Sequence, residues 1–257
     1  MSESRGTKHA NYELLNLIGY GLSKFNRDFV AQFGFDTKTA FYQYIVDLGV
    51  CDTVGTVKNR QDLLDPFFDN GRRGWWQRKQ QYISRKLLID SLFGEENVQT
   101  FADIVKLYFV TNFRVSFPAL PTISPIIDSR FRHLQETGAE AELYFYHNYQ
   151  IVPAFEDGIV QDARQLGDGY DFQIEKDNAY YLAEVKGVRL SKGNIRMTNN
   201  EYQKALAFTS NYFLVVVSNL VEHPRMTAVT DPANNLKLTP STIVSSQMTY
   251  SSESIKW

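Results

Sequence analysis

The chain of 257 residues is 43% apolar and 14% aromatic, enough to bury a core and too much for a disordered polymer. A formal net charge of -2 excludes a uniformly basic binder, so any nucleic-acid contact must come from local patches. The single Cys51 excludes a disulfide framework or Cys-rich zinc site, and His9, His133, His147 and His223 show no metal-ligand spacing.

From residue 11 to 49 apolar residues recur at spacings of three and four, which predicts two core helices, the second stopped at Gly49. A further helix is expected over "WWQRKQQYISRKLLIDSLFG", ending at Gly94, and another over "TFADIVKLYFVTNF". Residues 1–115 therefore read as a mainly helical region. Prolines 118, 121 and 125 in "SFPALPTISP" suit neither a helix nor a central strand and mark a linker over 116–128. Beyond it, "SRFRHLQETGAEAELYFYHNYQ" reads as a helix, "QIVPAF" as a strand, "NNEYQKALAFTSN" as a helix and "YFLVVVSNL" as a buried strand. That order predicts an α/β domain over 129–257, a mixed sheet flanked by helices. No run reaches the roughly 18–20 apolar residues of a membrane span and the amino terminus lacks an apolar signal core, so no membrane association and a cytoplasmic location are expected.

The stretch "DFQIEKDNAYYLAEVKG", residues 171–187, carries the chemistry. It reads as a hairpin turning at Asp177 and Asn178. Its second strand is apolar except for Glu184 and Lys186, which the period of two places on one face. With that turn, Asp171 falls opposite Glu184. Two carboxylates so close repel unless a divalent cation lies between them, and hard oxygen ligands favour magnesium or manganese over zinc. Two acids and a lysine on one sheet face predict a metal-dependent phosphodiester-cleaving site. Glu201 and Lys204 read as an i, i+3 surface pair, and "LGDGYD" as a tight turn into a strand.

Asp171, twelve intervening residues and then Glu184-Val185-Lys186 resemble the PD-(D/E)XK nuclease superfamily, with "YD" in place of "PD". The preceding helix with Gly138 and Glu142, the Gly-Tyr-Asp strand entry and the Thr-x-Asn-Glu helix resemble more closely a nuclease-related, Mrr-like domain of unknown function in bacterial defence proteins. The resemblance covers residues 130–225. It implies a restriction-endonuclease-like core and type II restriction activity on double-stranded DNA, beside a cognate DNA methyltransferase and with a homodimer as an assembly. It makes Asp171, Glu184, Lys186 and Glu142 the catalytic set, with Mg2+ (Mn2+ able to substitute) held by Asp171, Glu184 and the Val185 carbonyl. Lys186 would position or deprotonate the attacking water. The alternatives are a non-catalytic nucleic-acid-binding or sensor module with a nuclease fold, and a defence nuclease acting on modified DNA or RNA.

Residues 58–86 hold eight basic against three acidic side chains, interleaved with Trp75, Trp76 and Tyr82. Basic side chains neutralise phosphates, and aromatic ones wedge or stack on bases, so Arg72, Arg73, Trp75, Trp76, Arg78 and Lys79 are the expected DNA-docking group. Arg189, Lys192 and Arg196, after the lysine strand, are placed to contact the backbone beside the scissile phosphate.

Overall fold

The computed structural model describes residues 11–118, 129–130, 137–242, 248 and 250–252. Six helices come first: α1 (Tyr12–Lys24), α2 (Arg27–Ala31), α3 (Lys38–Asp47), α4 (Val54–Leu64), α5 (Lys79–Phe93) and α6 (Val98–Phe113). Leu14, Leu15, Leu17, Ile18 and Leu22 put apolar groups on every side of α1, and all are buried, so α1 is the central helix. The expected pair of helices over 11–49 is in fact three. The chain breaks at Asn26, whose φ of 56° no α-helix admits. Gly49 ends α3 with a φ of +75°, as its position predicted. Gly94 caps α5 but stays right-handed, with φ -63°, so its use there is not left-handed geometry. Helix α4 escaped the periodicity because its apolar face is thin, Val57, Leu63 and Leu64 buried with Val54 partly buried beside them. Its signal was Thr53, whose side chain accepts the Thr56 amide as an N-cap.

The second half contains α7 (Thr137–Asn148), β1 (Ile159–Asp162), β2 (Phe172–Lys176), β3 (Ala179–Gly187), α8 (Asn199–Phe208), β4 (Tyr212–Ser218), β5 (Arg225–Thr230) and α9 (Pro232–Asn235). The sheet order is β1-β2-β3-β4-β5, antiparallel except for the parallel pair β3–β4, which α8 connects. The fold is α/β with a mixed sheet, as expected. Residues 150–155 are not the expected strand. They lie in two 3-10 turns, the second begun by Pro153, which has no N–H to give a ladder. The edge strands β1 and β5 were unforeseen because they are short and mostly solvent-facing, without a buried alternation to read. Of the expected linker, residues 119–128 lie outside the described residues.

Helix α7 is shared between two cores. Ala141, Tyr144 and Phe145, at helical spacing, pack on Phe172, Ile174, Ala183 and Val185 of the sheet. Ala139 and Leu143, on its other side, pack against the helical bundle. Phe145 and Phe172 meet at 5.0 Å between ring centroids, and burying each contributes about 1.5–3 kcal/mol. The opposite sheet face is covered by α8, where Ala205 meets Leu182 and Tyr212.

A buried polar seam joins the helical bundle to the sheet. The Tyr12 hydroxyl donates to the Glu140 carboxylate at 2.8 and 2.9 Å, and Arg85 Nε donates to it at 3.0 Å. Arg85 Nη2 also donates to the Leu220 carbonyl, and Arg60 Nη2 to the Val221 carbonyl at 3.2 Å. Charges buried at this depth persist only when hydrogen-bonded, and here α1, α4 and α5 supply the partners. The helical bundle therefore fixes the first turn of α7 and the β4–β5 turn. Among the described residues no helix is long and apolar enough to cross a membrane.

Candidate functional site: a carboxylate and lysine cleft

Asp177 and Asn178 have φ of 51° and 60°, the positive pair that a two-residue type I′ turn requires. The turn sets the register expected from it, Lys176 opposite Ala179 through Phe172 opposite Ala183. The ladder stops there, one residue short of the anticipated Asp171–Glu184 pair. Asp171 N still donates to Ala183 O at 3.0 Å, but its carboxylate turns inward and Oδ2 accepts the Val185 amide at 2.8 Å. The Asp171 side chain thus takes the place of the backbone partner that β2 no longer offers. A strand residue presents its N–H and C=O to the same side, so the Val185 carbonyl faces the same gap. Gly167 and Gly169, with φ of 68° and 83°, make the turn that delivers Asp171. A Cβ at Gly169 would come within 2.8 Å of Asn200 O, so this position also sets how closely α8 approaches.

Along β3, Leu182, Glu184 and Lys186 point to the α8 side of the sheet while Ala183 and Val185 fill the core beneath α7. Lys186 Nζ lies 2.5 Å from Glu184 Oε1 and 2.9 Å from Glu201 Oε2. Glu201 therefore does not form the expected surface pair with Lys204, whose ammonium sits over the Tyr170 and Phe208 rings at 5.6 and 5.8 Å. The readable signal was Thr198-x-x-Glu201, a capping box that turns the Glu201 side chain back over the start of α8.

Burial pushes the Asp171 carboxyl up to about 6, against the Val185 amide and with help from the Glu142 charge. Burial, then the Asp171 charge, pushes Glu184 up to about 8. For Lys186, burial acts to lower the value, but the Glu184 and Glu201 carboxylates outweigh it and hold the ammonium above the ordinary lysine range. Burial likewise opposes Glu201, yet Lys186 and the Thr198 amide hold it below the usual carboxylate range. The arrangement is an acid pair short of positive charge beside a lysine that stays protonated.

Glu142, Asp171, Glu184, Val185, Lys186 and Arg196 line one open cleft of about 340 Å³. Glu142 Oε2 accepts Arg164 Nη1 at 2.9 Å, and Arg164 is fixed in turn by Asp162 and by stacking over Phe172. Arg164 belongs to no motif, which is why sequence reading missed it. Among the described residues no three His, Cys, Asp or Glu side chains gather closely enough to enclose a metal. The donor set is two carboxylates, each with one oxygen not engaged in the contacts above, and one carbonyl. Magnesium, which keeps several waters and takes one or two carboxylates plus substrate phosphate, fits such a set.

The structure separates the other expected contacts. Arg196 is in the cleft wall and Lys192 is exposed on the same loop, whereas Arg189 is held by Glu13 of α1 at 2.5 Å. Arg72 is bound by Asp62 and Asp65, both at 2.6 Å, and so ties its own loop together. Arg73, Trp76, Arg78 and Lys79 are exposed, Trp75 is half-buried, and Arg78 stacks on Trp75 at 5.3 Å.

Residues 141–229 match the family described as Protein NO VEIN, C-terminal. The matched span runs from the sheet-facing side of α7 into β5 and holds Glu142, Asp171, Glu184, Lys186 and Glu201, while the helical bundle lies outside it. No curated protein and no solved structure matches the chain.

Proposed function

We propose that the chain is a magnesium-dependent endonuclease hydrolysing phosphodiester bonds in double-stranded DNA, of the type II restriction kind, with manganese able to replace magnesium. The observation that carries this reading is the meeting of Asp171, Glu184 and Lys186 where β2 leaves β3, in a cleft open to a polymer and edged by Arg196. An acid pair with values raised to about 6 and about 8 is poorly satisfied by protein alone and well matched to a divalent cation. Asp171, Glu184 and the Val185 carbonyl would hold that cation. When bound, it polarises the phosphoryl oxygen and offsets charge built up in an in-line displacement.

The chain's own groups supply the rest. Lys186, held by its two carboxylates, is placed to position or deprotonate the attacking water. Arg196 steadies the phosphate at the cleft wall. The resemblance to restriction enzymes extends the proposal to 5′-phosphate and 3′-hydroxyl ends, a homodimer and a partner methyltransferase that protects host DNA. Incubating the purified protein with unmethylated plasmid and phage DNA plus magnesium, and sequencing the ends, tests it. Discrete fragments with 5′-phosphates are expected; intact DNA across a broad panel overturns it.

A further inference from the structure

Resting on the nuclease reading, we propose that Glu201 is the positioning residue for Lys186, the anchor that keeps the ammonium in place when Glu184 turns to a cation. Lys186 has two carboxylate partners, Glu184 on its own strand and Glu201 on α8. A cation shared by Asp171 and Glu184 would neutralise the carboxylate on which Lys186 leans at 2.5 Å. A long, four-carbon side chain released from that contact regains its rotamer freedom. Glu201, 2.9 Å from the ammonium, prevents this.

Its own position is fixed before any ligand arrives. Glu201 Oε2 accepts the Thr198 amide at 2.9 Å while Thr198 Oγ1 accepts the Glu201 amide at 3.3 Å. The same oxygen that closes the capping box therefore receives Lys186. The start of α8 is in turn pinned to the turn that delivers Asp171: Asn200 Nδ2 donates to Gly167 O at 2.8 Å, and Gly169 packs against the Asn200 backbone. Asp171 and the Lys186 anchor are thus placed by one joint, so the distance between acid and ammonium does not depend on Glu184. Glu201 Oε2, committed to Thr198 and Lys186, thus acts on the lysine.

Glutamine can fill the same capping position, so Glu201→Gln removes the charge and leaves the helix start intact. Glu184→Gln stands in for the neutralised carboxylate without any metal. Proton-detected NMR of lysine side-chain 15N should show the Lys186 ammonium in slow exchange in wild type and in Glu184→Gln, and lost to fast exchange in Glu184→Gln/Glu201→Gln. With magnesium and DNA, Glu201→Gln alone should lower turnover about 10–100-fold at unchanged KM, the cost of a misplaced group. Survival of the resonance in the double variant, its loss in Glu184→Gln, or undiminished turnover in Glu201→Gln overturns the proposal. A wild type that cleaves no DNA instead removes the nuclease reading, and the resonance still decides whether Glu201 holds Lys186.

Discussion

Glu184 is the residue where folding and chemistry conflict. Its value in the folded chain, about 8, stands above the unfolded value of 4.5, so the folded protein binds more protons between those limits. Stability contributed by the protonated form is full below about pH 4.5 and is lost as pH rises through 8. Glu184→Gln, which cannot ionise, should therefore raise the stability of the cation-free protein at pH 8 by about 1–3 kcal/mol and not at pH 4.5, measured by urea unfolding. Magnesium should reduce the difference by stabilising wild type selectively. The two acids and the lysine were legible because a period of two and a two-residue turn fix which side chains share a face. Glu201 was misassigned because its nearest basic neighbour in sequence is Lys204, while its partner in space lies across a parallel strand crossover. Periodicity within one helix carries no information about that pairing.

Among the elements, α7 bears the most conflicting demands, packing on the sheet with one face and on the bundle with the other. Its buried Glu140 is paired with Arg85 of α5 and accepts the Tyr12 hydroxyl of α1. Arg85→Met should cost about 3–5 kcal/mol in urea unfolding, since it strands a buried carboxylate, and Arg85→Met/Glu140→Leu should recover much of that loss. Equal additive losses would show that the pair is not coupled. Helices with long apolar faces, such as α1 and α6, were readable, as was the Val-rich β4. What failed to show were elements defined by their neighbours: α4, held by a Thr53 cap and four apolar side chains, and the edge strands β1 and β5. In 150–155 the proline decided the matter, converting an apolar run into 3-10 turns.

For the whole molecule, the proposed activity requires a surface that a duplex can lie across. The basic and aromatic group over 72–79 divides by its partners. Arg73, Arg78 and Lys79 are exposed, while Arg72 serves the buried Asp65, which Ser23, Gln61 and Asn70 also bind. Arg73→Ala, Arg78→Ala and Lys79→Ala should each leave folding intact and lower the salt slope of DNA binding by about one for each phosphate no longer neutralised. Arg72→Ala should instead lower stability by about 1–3 kcal/mol. Filter binding at several salt concentrations beside urea unfolding separates the two; a full effect of Arg72→Ala on the slope alone would return it to the proposed DNA-contacting group. The proposed activity depends above all on the cleft. Its most direct test is cleavage of unmethylated phage DNA with magnesium by wild type, Asp171→Ala and Glu184→Ala, all checked for native unfolding profiles. The expected result is discrete cleavage by wild type and loss of at least about a hundredfold in both variants, in line with removal of a group that acts on the transition state. Cleavage undiminished in either variant would contradict the assignment of the site.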